Sequence, residues 1–338
     1  MNFSDNTILK NASRILEERL PKGWVIERID TPPREDGALR FTSSEGRSCI
    51  IPVDIKQRID PRNAQQLETD TPRMIVAPYL SQAVRESLEE RGICYADQTG
   101  NTRVVIAEPG LFILTAGAES NPWPPSRQLT LRGIKAGRLV LALANSLPPL
   151  GVRELAEIAD TDPGYVSRLL KMLDREALVD RTSRGRVEHV DWQKLLLRWA
   201  SDAPLTNRAV STTWLAPRGL KTVVSGLRRE WLRYLITGSE AAQKVAPITP
   251  TRLLSIYVED PDEVAEKLGL RRTDAGANII LLQPEDRTLY ERASKDDGLN
   301  YAPLPLVVAD LLGGPGRSPA EAEALLEWMH TNEEVWRG

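Results

Sequence analysis

The segment that most restricts what this chain can fold into runs from residue 150 to residue 190, where helix, tight turn, helix and hairpin follow one another without a gap. Residues 152–159 (VRELAEIA) hold two helical turns, Asp160 to Asp162 make a turn, and residues 163–177 (PGYVSRLLKMLDREA) continue as a second amphipathic helix. Pro163 stands at the first helical turn, where its missing N–H costs nothing, and Asp162 is placed to cap the helix. Residues 178–181 and 186–190 then read as two strands joined by TSRG, a hairpin with arginine at its tip. A further apolar-faced helix, residues 133–147, precedes the set. Helix-turn-helix plus hairpin is a winged helix, a geometry that presents its second helix to the major groove of DNA.

The residue types agree with that geometry. On the second helix Val166, Leu169, Leu170 and Leu173 fall on the core side, while Tyr165, Ser167, Arg168 and Lys171 fall on the polar side. Arg168 suits a bidentate contact to a guanine edge, and Lys171 suits a phosphate as a mobile point charge. Arg181, Arg184 and Arg186 on the hairpin are expected to meet the DNA backbone or the adjacent minor groove. Residues 127–200 carry a net charge of +4 inside a chain of −3 overall, which leaves −7 on the remainder. A local double-stranded DNA contact is therefore expected, not general nucleic-acid coating. The alternative is a helical hairpin whose basic residues are only solvated.

A length of 338 residues suggests two or three compact units. The proline-rich stretch 118–131 reads as a linker, and a weaker boundary lies near residues 201–218. The expected organisation is α/β multidomain: residues 1–117, a linker over 118–131, the winged helix over 132–200, and a third domain over 201–338. No run approaches the ~20 apolar residues of a membrane span and no signal peptide is visible, so a cytoplasmic location with no membrane partner is the expectation. Two cysteines, Cys49 and Cys94, and two histidines, His189 and His330, are too few for a convincing thiolate or imidazole metal cluster. Trp192, Trp199, Trp214, Trp231 and Trp328 sit in or beside helical patterns and are expected in cores or interfaces.

In the first unit, residues 8–20 have helical spacing ended by Pro21, and strand-like runs follow at 24–29, 38–42, 49–55, 74–77, 93–96 and 103–107, with a helix from Ser81 to residue 91. Asp36 precedes one strand, and Asp54-Ile55-Lys56 ends the next. Two carboxylates on adjacent strands can share a divalent metal, and a lysine two residues along lies on the same face. This pattern resembles the PD-(D/E)XK restriction-endonuclease superfamily. The resemblance implies a restriction-endonuclease-like fold with Asp36, Asp54 and Lys56 as the site, Asp36 and Asp54 as Mg²⁺ ligands, Gln65 or Gln66 as helper and Glu18 as a further ligand. Glu35 stands where the family has proline before its first acid. The site is either an active metal-dependent nuclease or a remnant kept for recognition or dimerisation. Without an active site, no cofactor is expected.

In the third unit, LITGSEAA (235–242) followed by LLSIYVED (253–260) resembles the start of the minimal nucleotidyltransferase fold, with Gly238 and Ser239 in the triphosphate-binding position. Ser255 and Tyr257 stand where that family places acids, and Glu259 and Asp260 arrive only at the strand end, so the resemblance implies a degenerate site without catalysis. Residues 286–298 read as loop, and 304–312 and 318–330 as helices.

As a whole the chain resembles the AbiEi-like antitoxins of type IV toxin–antitoxin systems, through VAPYLSQAVRESLEERGICYADQTGN, PGLFI, ITGSEAAQKVAP and DGLNYAPLPLVVADLL. The resemblance implies a bacterial transcription regulator that binds its own promoter, with a toxin partner or neighbouring-gene product; a homodimer is expected separately, from half-site geometry. The competing expectation is a metal-dependent DNA endonuclease targeted by the winged helix.

Overall fold

A computed structural model describes residues 4–29, 36–68, 72–124, 129–228, 232–247 and 250–338. Glu35 and Trp231 lie outside these described residues, as does part of the expected linker. The chain divides into two compact units, Met1–Gln128 with Asp174–Ala177, and Leu129–Leu173 with Leu178–Gly338.

The first unit opens with α1 (Asp5–Glu17), capped by the Ser4 hydroxyl and burying Ile8, Leu9, Ala12 and Leu16. Then come β1 (Val25–Ile29), β2 (Ala38–Thr42), β3 (Ser48–Ile55), α2 (Pro61–Gln65), β4 (Met74–Ala77), α3 (Gln82–Glu90), β5 (Cys94–Asp97), β6 (Thr102–Ile106) and β7 (Leu111–Thr115). The seven strands form one sheet in chain order. Strands β1 to β3 are antiparallel, β3 to β5 parallel, and β5 to β7 antiparallel again. Parallel pairing needs crossovers, which α2 and α3 supply. Strand β4 is buried along its whole length because its alternate residues serve two cores. Met74 and Val76 pack in the cluster with α1, whereas Ile75 and Ala77 pack with Val84 and Leu88 of α3. That explains why β4 reads as a continuous apolar run without alternation.

The second unit begins with α4 (Ile134–Asn145), α5 (Val152–Ile158), α6 (Pro163–Arg175), β8 (Val179–Arg181), β9 (Val187–Val190) and α7 (Trp192–Asp202). Strands β8 and β9 pair antiparallel, and Leu150 bridges Val187 to extend the small sheet. The chain continues through β10 (Ala209–Leu215), α8 (Leu220–Leu227), β11 (Tyr234–Thr237), α9 (Gly238–Ala242), β12 (Leu254–Val258), α10 (Pro261–Leu268), β13 (Arg271–Arg272) and β14 (Ile279–Pro284). It ends with β15 (Ser294–Asp296), β16 (Leu299–Tyr301), α11 (Leu304–Leu312), α12 (Ser318–Thr331) and α13 (Glu333–Trp336). The larger sheet has the order β13-β10-β14-β12-β11-β16-β15 and mixes parallel with antiparallel pairs. Residues 286–298, expected as loop, instead hold a 3₁₀ helix (Arg287–Arg292), capped by the Asp286 side chain, and β15.

Helix α11 explains how this unit is built. Every residue from Pro305 to Leu311 is buried, as expected of a helix with apolar residues all round. It packs on α4 and α7 of the winged helix, and on α9, α12 and β11 of the larger domain. Residues 132–200 and 201–338 thus share a single continuous hydrophobic cluster. Trp192, Trp199 and Trp214 are buried in that cluster, and Trp328 packs against it half-buried. No helix among the described residues is long and apolar enough to cross a membrane.

Candidate nucleic-acid interface

The turn between α5 and α6 is set by local chemistry. The Asp160 backbone is left-handed (φ +45°), a conformation aspartate tolerates better than most residues. The Thr161 amide closes back on the Ala156 carbonyl at 2.9 Å. Two residues on, Asp162 accepts the Tyr165 amide at 2.7 Å and starts α6. That bond is the main reason its carboxyl lies below the usual aspartate range, with Lys135 and Arg168 adding positive charge nearby.

Helix α6 separates its faces as the sequence suggests. Val166, Leu169, Leu170 and Leu173 are buried, while Arg168 and Lys171 are exposed. These two cations lie one turn apart on the same face, and neither makes a hydrogen bond or ion pair among the described residues. Ser167 is half-buried beside them. Tyr165 departs from the expected polar side: it packs half-buried against the hydrophobic cluster, and burial raises its phenol pKa. A tyrosine at the first turn can cover the core with its ring, and this one does.

The three wing arginines have different tasks. Arg181 reaches along the hairpin and donates from Nε and Nη2 to the Gly185 carbonyl, each at 3.3 Å. Arg186 donates to the Pro149 carbonyl at 3.1 Å and fastens the wing to the segment before α5. Only Arg184 of the three, exposed at the tip, makes no hydrogen bond or ion pair among the described residues. Gly185 adopts φ +84°, and the Thr182 carbonyl and hydroxyl accept the Gly185 and Arg186 amides at 2.8 and 3.1 Å. Of the five cations expected to meet DNA, Arg168, Lys171 and Arg184 are thus the ones without a hydrogen bond or ion pair among the described residues.

Arg138 on α4 escaped the sequence reading. Its guanidinium donates from Nε and Nη2 to both carboxylate oxygens of Asp286, at 2.7 and 2.8 Å, and from Nη1 to Asp160 in the turn before α6. Burial opposes ionisation of Asp286, yet the bonds from Arg138 and Thr288 hold its carboxyl below the ordinary value. Arg292 adds a bond to the Ile158 carbonyl at 2.7 Å. The helix-turn-helix is therefore anchored to the segment 286–292 of the larger domain. A charged residue on a helix gives no hint of a partner 148 positions away.

In the first unit, Asp36 and Asp54 stand at neighbouring strands. One Asp36 oxygen accepts the Ile55 amide at 2.8 Å, and Asp54 faces the Arg73 guanidinium at 3.5 Å, an ionic partner the sequence reading did not include. Lys56 is half-buried two residues beyond Asp54. Glu18 is exposed and paired with Arg14 at 2.6 Å; Gln65 ends α2 half-buried and Gln66 is exposed. Among the described residues no group of three or more His, Cys, Asp or Glu side chains could hold a metal ion.

In the larger domain, Gly238 takes φ +65° as β11 turns into α9, and the Ser239 hydroxyl donates to Glu321. Glu259 pairs with Arg233 at 3.0 Å, and Asp260 caps α10. Tyr257, where the nucleotidyltransferase pattern wants an acid, is fully buried and donates to Asp310 at 2.9 Å. Asp310 also accepts from Thr237 at 2.6 Å and from Arg208 at 2.7 Å. Burial and the adjoining Asp310 push the Tyr257 phenol well above its ordinary pKa. These side chains form a closed structural network.

No curated protein and no solved structure matches the chain. Residues 190–329 match a family model described as "Transcriptional regulator, AbiEi antitoxin, Type IV TA system". The match begins where the wing ends and runs through the larger sheet into α12. Together with the winged helix that leads into it, the match supports a DNA-binding transcriptional regulator of the antitoxin kind.

Proposed function

We propose that the chain reads one operator through α6 and thereby controls its own promoter, as the antitoxin of a toxin encoded beside it. The observation that carries this reading is the trio of exposed, unengaged cations on a winged-helix framework: Arg168 and Lys171 on α6, and Arg184 at the wing tip. Helix α6 enters the major groove, Arg168 reads a guanine edge, Lys171 and Ser167 meet phosphate, and Arg184 reaches the flanking backbone or minor groove. Arg181 and Arg186 shape the wing, and Tyr165 sets the seat of the helix. One winged helix offers few contacts, so a homodimer on two half-sites completes the reader.

Sequencing of sheared genomic DNA retained by the purified protein tests this reading. Enrichment of a few intact promoter sites, the protein's own among them, is expected. Uniform retention of all fragments would overturn it. A second reading, a metal-dependent nuclease, draws support from Asp54 and Lys56 on one face of the chain beside Asp36. It requires Mg²⁺-dependent cleavage of the same DNA that disappears in Asp54→Ala and Lys56→Ala proteins.

A further inference from the structure

The outermost strands of the two seven-stranded sheets are β1 and β7 in the first unit and β13 and β15 in the second. Three of them carry exposed charges of the kind that keep other strands away: Glu27 and Arg28 on β1, Arg271 and Arg272 on β13, and Lys295 and Asp296 on β15. Strand β7 has no such guard. No charged residue stands between Glu108 and Glu119, and Phe112 and Leu114 are 68% and 55% exposed. No strand among the described residues pairs with its outer edge.

The backbone fixes what that edge offers. Val105 on β6 turns toward β5, where its N–H donates to Cys94 Sγ at 3.4 Å and its carbonyl accepts from the same thiol at 3.7 Å. Direction alternates along a strand, so Val104 bonds to Ile113 opposite it, and Phe112 and Leu114 turn their N–H and C=O groups to the open edge. An incoming strand therefore meets two donors and two acceptors, with two apolar side chains on one face. It must itself be uncharged, and apolar at alternate positions.

Strand β7 meets that demand against its own copy. In an antiparallel pair centred on Ile113, Phe112 faces the partner's Leu114 and Leu114 faces the partner's Phe112. Four main-chain hydrogen bonds then form, and both exposed apolar residues are covered. Val105 lies beside Phe112 in register and lengthens the apolar stripe.

We propose that β7 is the interface between two copies of this chain, which pair antiparallel through it and join their sheets into one. This deepens the homodimer of the operator reading and rests on that reading only for the expectation of two copies. A strand of five residues covers less area than a standard interface, so the expected affinity is micromolar.

The test is sedimentation velocity of the full chain without DNA at tens of micromolar, with operator binding measured separately on the same proteins. The natural protein should be a dimer. Phe112→Lys/Leu114→Lys sets lysine against lysine in this register and should raise the dimer dissociation constant at least tenfold. Phe112→Lys/Leu114→Glu sets lysine against glutamate and should bring the constant back toward the natural value. Leu114→Lys alone replaces the double-lysine variant if that one does not fold. A monomeric natural protein, a lysine variant that dimerises unchanged, or a lysine–glutamate variant no tighter than the double-lysine one would each overturn the assignment. A β7 dimer that retains no operator supports the interface and overturns the operator reading alone, so the two failures are told apart.

Discussion

Arg138 holds both carboxylate oxygens of Asp286, at 2.7 and 2.8 Å, with the two side chains only 14% and 21% exposed. A paired fork of this kind fixes direction as well as distance, and here it joins α4 to the start of the 3₁₀ helix. Replacing Asp286 with Ala should lower stability by about 2 kcal/mol, since charged hydrogen bonds in a half-buried setting are lost. Urea unfolding of Asp286→Ala measures it, and Arg138→Gln, Asp286→Asn and their double variant form a cycle that isolates the pair. Strict additivity would show that the contact carries no energy of its own.

The same pair gives a pH dependence. The folded Asp286 carboxyl titrates below its ordinary value of 3.8, so its stabilising effect is complete above that value and is lost as pH falls through the folded pKa. The natural protein should therefore lose more stability than Asp286→Asn on acidification below pH 3.8. Parallel stability curves for the two proteins in that range would refute the linkage.

On α6, Arg168→Ala should cost about 1–3 kcal/mol of operator binding and relax base preference at one position, whereas Lys171→Ala should weaken all sequences alike and reduce the salt slope by about 1. Fluorescence anisotropy with operator and scrambled duplexes separates the two. Equal weakening of both duplexes by Arg168→Ala would remove that residue from base reading.

The wing separates binding from folding. Arg184→Ala should weaken DNA binding and leave the melting temperature unchanged, because its side chain makes no hydrogen bond or ion pair among the described residues. Gly185→Ala should destabilise the fold by about 1–2 kcal/mol, since a Cβ is strained at φ +84° and would meet the Arg181 guanidinium at 2.9 Å. Thermal melting and anisotropy on both variants check the division; a lowered melting temperature in Arg184→Ala would contradict it.

Inside the larger domain, Tyr257→Phe should cost about 1–2 kcal/mol by removing one donor to buried Asp310. Asp310→Ala should cost about 3–5 kcal/mol, because Arg208 then stays buried without its counter-charge. Chemical denaturation distinguishes them, and equal losses would show that Arg208 finds another partner.

What the sequence made legible was local. The helices α4 to α6 and the hairpin follow from periods, caps and turns within about sixty residues, and the predicted bounds fall within two residues of those observed. The double burial of β4 was readable in outline, because an unbroken apolar run means two covered faces. Long-range partners were not readable. Arg138 looks like any solvated helix residue, Arg73 opposes Asp54 only once β3 and β4 pair, and the bonds of Arg181 and Arg186 to the Gly185 and Pro149 carbonyls form only once the hairpin folds. Strand β7 carried no strand signal, because its outward Phe112 and Leu114 are apolar and the run shows no apolar–polar alternation. The 3₁₀ segment has only the Asp286 cap on Thr288 as a local signal, and the Arg138 fork that holds it comes from a helix far away in the chain.

Helix α6 divides its work so that its apolar residues face inward, while exposed Arg168 and Lys171 make no hydrogen bond or ion pair among the described residues. Under the proposed reading, a regulator built this way can acquire a new operator through changes at Arg168 without first acquiring spare stability. The wing lacks that freedom, since two of its three arginines also bind its own backbone. Retargeting should therefore proceed helix first, with the wing changing last and least.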